Sequence, residues 1–254
     1  RGRNAAARAV NRLALAEAAP ALLELVRDTR LNEAVRVAAL KGLPGLDQGH
    51  LTDALKLAAA DTSELLRKEA TRLAAQGQSS DAIEQLAAAL EGGTVAEKQS
   101  ALATLATLNS PAAEETLSQW SDELLAGKVP PALQLDLLEA LAAHPSAYLK
   151  EQLAKYEAAR PKDDPLAGFR ECLHGGDAKA GRQIFFGRPD AACLRCHKIN
   201  GEGGEIGPDL TGVGARQKRE YLLESMVYPN RQIAAGFDNL LVQTKSGAAY
   251  AGVL

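Results

Sequence analysis

The stretch Cys193-Leu194-Arg195-Cys196-His197-Lys198-Ile199-Asn200-Gly201 places two cysteines around a two-residue gap, with a histidine directly after the second. The 254 residues of the chain include only 3 cysteines and 4 histidines. Three cysteines close at most one disulfide, and Cys172 stands alone, so this is not a disulfide scaffold. A structural zinc site needs four ligands, commonly from a second Cys or His pair. The remaining candidates, Cys172, His50, His144 and His174, form no such pair. A thioredoxin-type thiol pair sits at a strand-to-helix junction in a βαβ unit, and no such pattern surrounds Cys193.

The pattern that fits is CxxCH, the attachment motif of c-type haem. Two thiols add to the two porphyrin vinyl groups as thioethers, and a short helical turn gives them the matching spacing. The adjacent histidine is then held under the iron as an axial ligand. On this reading Cys193 and Cys196 carry haem c covalently and His197 ligates its iron, with zinc binding and thiol redox chemistry as the alternatives.

Outward from the motif the chain divides into two textures. All four Phe lie at or beyond Phe169, whereas residues 1–160 hold only Trp120, Tyr148 and Tyr156 as aromatics. Those residues are filled with Ala and Leu at helical spacing, as in Glu33–Leu43, Glu64–Gly77, Asp81–Gly93, Ala96–Leu108 and Pro131–His144. Ser79-Ser80-Asp81 and Asn109-Ser110-Pro111 read as helix starts with capping side chains. Arg36-x-x-Ala39 recurs as Arg67-x-x-Ala70 and Lys98-x-x-Ala101, at intervals of 31 residues. A fixed period of this size predicts stacked helix pairs, an α-solenoid; an irregular helical bundle is the alternative. The unit opened by Pro130-Pro131 is out of phase. Small alanines allow close helix packing in a segment almost free of large aromatics.

Residues 161–174 read as a Pro-rich, charged linker. From Gly175 glycines crowd in, and 175–214 reads as mostly loop. Short helices are predicted at Asp177–Gly187 and Arg216–Val227, and a β-hairpin with a Lys-Ser-Gly turn over Phe237–Leu254. Hence the expectation of a mostly α protein: a helical repeat domain over 1–160, a linker over 161–174 and a c-type cytochrome domain over 175–254, ending in a hairpin.

The segment Gly181-x-x-Ile184-Phe185-Phe186, then CxxCH, then Gly201-Glu-Gly-Gly-Glu-Ile-Gly-Pro-Asp-Leu-Thr-Gly-Val-Gly214 resembles a class I cytochrome c core. With Arg219–Ser225 and Pro229–Gly247 it closely resembles the PVC-type haem-binding domain. The helical part resembles HEAT-like repeats in a short form. Such haem domains commonly follow HEAT-like repeats, in many cases C-terminal to glucose/sorbosone-dehydrogenase-like propellers. The resemblance implies that the Pro208 carbonyl accepts the N–H of His197, that Leu210 packs on the porphyrin, and that Gly181 and Phe185 lie on the first helix. The family pattern continues with a Ser-x-Met-Pro-type loop, which supplies the second axial ligand, and a final helix; neither is found in these residues. The domain is therefore expected to lack its C-terminal part, and the N-terminal stretch, which reads like the interior of a helix, predicts sequence before Arg1.

Met226 is the single methionine. It reads either as a sixth ligand or as a core residue beside Leu222 and Leu223, and His174 is a further ligand candidate. Cys172 reads as a small side chain, and Trp120 as a packing anchor. Arg216, Lys218 and Arg219 read as surface charges, one of which could pair with a haem propionate.

The function expected is electron transfer through haem c, with the repeats as docking or spacer module and a redox partner protein or dehydrogenase domain as the other party. The alternative is a haem sensor or peroxidase-like site with an open iron position. No paired carboxylates, nucleophile–base pair or phosphate-cradling loop marks catalysis in these residues. A net charge of −3 gives no sign of nucleic-acid binding. No apolar run approaches the ~18 residues that suggest a membrane span. Covalent haem implies export, to a periplasm or its equivalent, although the N-terminus has no secretory signal pattern.

Overall fold

The computed structural model describes residues 15–76 and 80–253. The expected helix across residues 1–14 and the capping position Ser79 lie outside them. The chain falls into two compact units divided between Ala159 and Arg160.

The first unit is helical. After a short 3-10 turn, α1 (Ala19–Arg27), α2 (Glu33–Gly42), α3 (Gln48–Ala59) and α4 (Glu64–Ala75) follow. Then come α5 (Ser80–Gly92), α6 (Val95–Leu105), α7 (Pro111–Leu125), α8 (Pro131–Ala143) and α9 (Ala147–Ala158). Consecutive helices pack as pairs, and α2, α4, α6 and α8 contact one another in turn as a layer. On the other side α1 packs on α3, and α7 on both α5 and α9. Ala39, Ala54, Ala58, Ala70 and Ala113 are fully or almost fully buried, so helix backbones approach closely where a larger residue would hold them apart. Leucines fill two clusters, one around Leu40, Leu43 and Leu66 and one around Leu102, Leu117, Leu137 and Leu149, with Trp120 packed against the second.

The 31-residue spacing has a structural counterpart. Ser63 Oγ, at the N-cap of α4, donates to Glu33 at the start of α2 (2.8 Å). Thr94 Oγ1, at the N-cap of α6, donates to Glu64 at the start of α4 (3.1 Å). The recurring cation also has one job. Arg36 Nε donates to the Val26 carbonyl near the end of α1, and Lys98 Nζ to the Glu91 carbonyl near the end of α5 (both 2.9 Å). Arg67 Nη1 donates to the Asp61 and Thr62 carbonyls just beyond α3 (2.8 and 3.0 Å). Each cation thus reaches carbonyls at or just beyond the end of the preceding helix; for Arg36 and Lys98 these belong to its last turn, where the macrodipole is negative. The α7 start is capped as the sequence indicates, by Ser110 ahead of Pro111. Pro130 has no side-chain oxygen to offer, and the N-cap rung stops at α8.

The second unit begins at Arg160. Residues 161–174, expected as a linker, are themselves packed: a 3-10 helix spans Ala167–Leu173 and Leu166 is buried. Arg160 pairs with Glu171 (3.2 Å) and Arg170 with Asp164 (2.6 Å). Four of the charges that suggest a solvated joint are thus paired with one another. Then come α10 (Ala178–Gly187), a 3-10 turn at Cys193–Arg195, β1 (Lys198–Ile199) and β2 (Glu202–Gly203). The helix expected from Arg216 is divided, because Gln217 is extended: α11 is Val213–Arg216 and α12 is Arg219–Val227. The terminal hairpin pairs β3 (Asn239–Gln243) with β4 (Ala249–Val253), antiparallel, around Lys245-Ser246-Gly247. Among the described residues no helix is long and apolar enough to cross a membrane.

Arg36 and Asp61 form an ion pair with both side chains almost fully buried. Asp61→Ala leaves a guanidinium buried without its partner and is expected to cost about 3 kcal/mol in urea unfolding of this unit. The Arg36 hydrogen bonds hold the Asp61 carboxyl below the usual carboxylate range. Its contribution is therefore present above the ordinary carboxylate value of about 4, and is lost as pH falls through the lower folded value. The stability gap between wild type and Asp61→Asn should narrow at acid pH; a gap that stays constant from neutrality down to about pH 2 would contradict this assignment.

Candidate haem-attachment site

α10 leads into the motif. Asp177 caps it by accepting from the Lys179 and Ala180 amides (2.7 and 3.2 Å). Beyond the helix Ala192 adopts the left-handed region (φ 50°), a conformation that costs an L-residue about 1 kcal/mol. It turns the chain into the 3-10 turn at Cys193–Arg195. The Cys196 and His197 amides both donate to the Cys193 carbonyl (3.3 and 3.0 Å), so the five motif residues form one closed turn. Neither cysteine forms a disulfide, and both are half-buried.

Beyond His197 the chain wraps back onto this turn. Asn200 (φ 52°) and Gly201 (φ 82°) link β1 to β2, the Asn-Gly pair preferred where two successive left-handed residues close a hairpin. The loop after β2 is pinned by backbone bonds: Gly204 N–H to Leu194 (2.8 Å), Gly207 N–H to Cys196 (2.7 Å) and Leu210 N–H to Lys198 (2.8 Å). Glycine is required at two of these approaches. A Cβ on Gly204 would lie 2.2 Å from the Arg195 carbonyl oxygen, and one on Gly207 would lie 2.7 Å from His197 Cε1. The Gly-rich run is thus a backbone surface laid on the motif and on the imidazole ring.

His197 Nδ1 lies 2.9 Å from the Pro208 carbonyl oxygen. A carbonyl only accepts, so Nδ1 carries the proton, and Nε2 is the ring nitrogen available to a metal. Cys193, Cys196, His197 and Pro208 are brought together. Leu210 is half-buried in the same loop. Phe185 is half-buried on α10 and meets Phe186 edge-on, centroids 5.3 Å apart.

Other expected residues lie apart from this cluster or are otherwise engaged. On α12, Leu223 is buried, whereas Met226 is 76% exposed rather than packed with it. Arg219 donates to the Leu173 carbonyl (2.9 Å), and Arg216 to the Thr211 carbonyl. Lys218 is the N-cap of α12. Cys172 is exposed, and His174 follows the 3-10 helix. In the helical unit, buried His144 has both ring nitrogens engaged, by the Leu108 carbonyl (3.1 Å) and the Ser146 amide (3.2 Å). His50 bonds Asp47 (2.6 Å). Among the described residues no three His, Cys, Asp or Glu side chains gather in a way that could hold a metal ion. Lys198 and Glu205 pair across the loop (2.6 Å), which raises the lysine and lowers the carboxyl. The Thr211 hydroxyl and amide hold the Asp209 carboxyl below its usual range.

Burial tests whether these residues suit a haem. In the second unit only Leu166 and Leu223 are buried hydrophobics among the described residues. Ile184, Ile206 and Met226 are 44, 68 and 76% exposed. A unit of this size normally needs a larger core, or a covalent or metal staple. A large apolar ring tethered at Cys193 and Cys196 would supply both, and the residues fit it.

Residues 178–249 match the cytochrome c family. The match starts with α10 and ends in β4, and so spans the attachment turn and its loop. Cytochrome c domains carry haem c covalently, and haem-based electron transfer is their chemistry. No curated protein and no solved structure matches the chain.

Two glycine substitutions should separate packing from propensity. Gly207→Ala puts a methyl group into the His197 ring and is expected to cost about 1–3 kcal/mol and to lower the haem bound per chain. Gly181→Ala, on α10 with open space around its Cβ position, should stabilise by about 0.8 kcal/mol. Denaturant unfolding and a haemochrome assay read both; equal behaviour of the two variants would contradict the close approach at Gly207.

Proposed function

We propose that this chain is a one-electron carrier, with haem c attached to Cys193 and Cys196 and ligated by His197. When bound, the haem supplies a reversible one-electron couple. The protein's part is to hold, orient and shield. The closed turn at Cys193–His197 holds both cysteines and the histidine within five residues. Pro208 fixes the ring and its tautomer, and makes Nε2 a more basic ligand. The observation that carries the reading is the closed Cys193–His197 turn together with the His197 bond to Pro208.

The two-layer helical unit, read as HEAT-like repeats, serves in this proposal as a spacer and docking surface. The protein belongs, on this reading, to an exported, periplasmic-type assembly. There it relays electrons from a sugar or alcohol dehydrogenase domain or partner of the kind that accompanies PVC-type haem domains. Export is inferred from covalent haem attachment. Met226, the single methionine, and His174 are the candidates in this unit for the second axial ligand. The alternative is an open iron position, which would make the site a haem sensor or peroxidase-like centre.

Spectroscopy of protein made in a host that attaches haem c tests this. The expected result is a low-spin spectrum with sharp α and β bands on reduction and a one-electron Nernstian titration. His197→Ala should keep the covalent haem and lose the low-spin bands. A high-spin wild-type spectrum that shifts with carbon monoxide, joined to peroxide turnover, would overturn the carrier reading in favour of the open site.

A further inference from the structure

The acceptor of the His197 proton belongs to a residue with no N–H of its own. That carbonyl lies in the peptide shared with Asp209, and backbone bonds on either side of it hold the loop in place. On one side Gly207 is tied to Cys196, and on the other Leu210 is tied to Lys198. The far end of the loop is closed by a side chain: Thr211 Oγ1 accepts the Asn200 amide at 2.7 Å. Asn200 is the left-handed residue at the tip of the hairpin that starts directly after His197. The Thr211 amide in turn donates to Asp209 Oδ1 (2.7 Å), which closes a turn directly after Pro208. One hydroxyl thus joins the strand leaving the histidine to the loop carrying its hydrogen-bond acceptor.

We propose that Thr211 is a positioning residue for the axial histidine: its hydroxyl, by holding the Asn200 amide, fixes the Pro208 carbonyl and so sets the reduction potential of the iron. This rests on the reading of His197 as a haem ligand. A closely held carbonyl takes more of the Nδ1 proton and makes the imidazole a stronger donor, which favours ferric iron. Loosening the carbonyl therefore moves the potential upward.

The test uses haem-loaded full chain, wild type and the Thr211→Val, Thr211→Ala and Thr211→Ser variants. Haem per chain is measured first and the potential next, by spectroelectrochemistry. Val and Ala are expected to shift the ferric-to-ferrous ratio about threefold toward ferrous at a given electrode potential, roughly 30 mV at 59 mV per tenfold for one electron. Ser, which keeps the hydroxyl, should stay at the wild-type value. Hydroxyl-free variants at the wild-type potential would overturn the inference. So would a Ser variant shifted as far as Val, because the methyl group would then be the cause. In both cases the haem is still attached and the carrier reading stands. Wild-type protein without covalent haem would remove the carrier reading and this inference together.

Discussion

The hydrogen bond from His197 Nδ1 to the Pro208 carbonyl is the constraint on which the haem unit turns. By itself such a bond contributes only about 1 kcal/mol. Its importance is geometric. It selects the tautomer, holds the ring plane, and requires the 207–211 loop to lie flat on the attachment turn. That requirement removes the side chain from Gly207, where a Cβ would lie 2.7 Å from the ring, and from Gly204, where it would lie 2.2 Å from Arg195. It also explains the backbone bonds that bind the loop to Cys196 and Lys198.

The two units solve the problem of cohesion differently. The helical unit buries leucines and alanines in two clusters and places a cation at the end of the preceding helix in three successive pairs. The second unit has few buried side chains and many exposed apolar ones. Its order comes from backbone bonds around the motif and from the packed 3-10 helix, and a covalently bound haem would add to it. Burial of apolar surface stabilises by about 25 cal/mol per Å², so the porphyrin is a structural component of this unit as well as its redox centre.

Much of this is legible in the residues. The period from Arg36 to Arg67 to Lys98 marks equivalent places on stacked helices, because each cation donates to backbone carbonyls at or just beyond the end of the preceding helix. CxxCH is the strongest signal in the second unit, because covalent attachment tolerates so few spacings. The Asn200-Gly201 hairpin escapes a reading by pattern although its dipeptide is a strong turn signal; its strands are only two residues long and too short to show alternation. The purpose of Gly203-Gly204 is hidden because close approach of backbones leaves no periodicity. The fold of 161–174 is masked by proline and charge, since sequence does not reveal which ions pair. The exposure of Met226 is equally unreadable: helical spacing places it beside Leu222 and Leu223, but only the burial of its neighbours shows which side of α12 is covered.

The most direct test of the account is where the haem sits. Protein from a host with haem-attachment machinery would be digested and mapped by mass spectrometry. The account predicts one haem on the peptide that spans Cys193–His197, joined through both sulfurs, with Cys172 unmodified. Free thiols at Cys193 and Cys196 in that protein would contradict it.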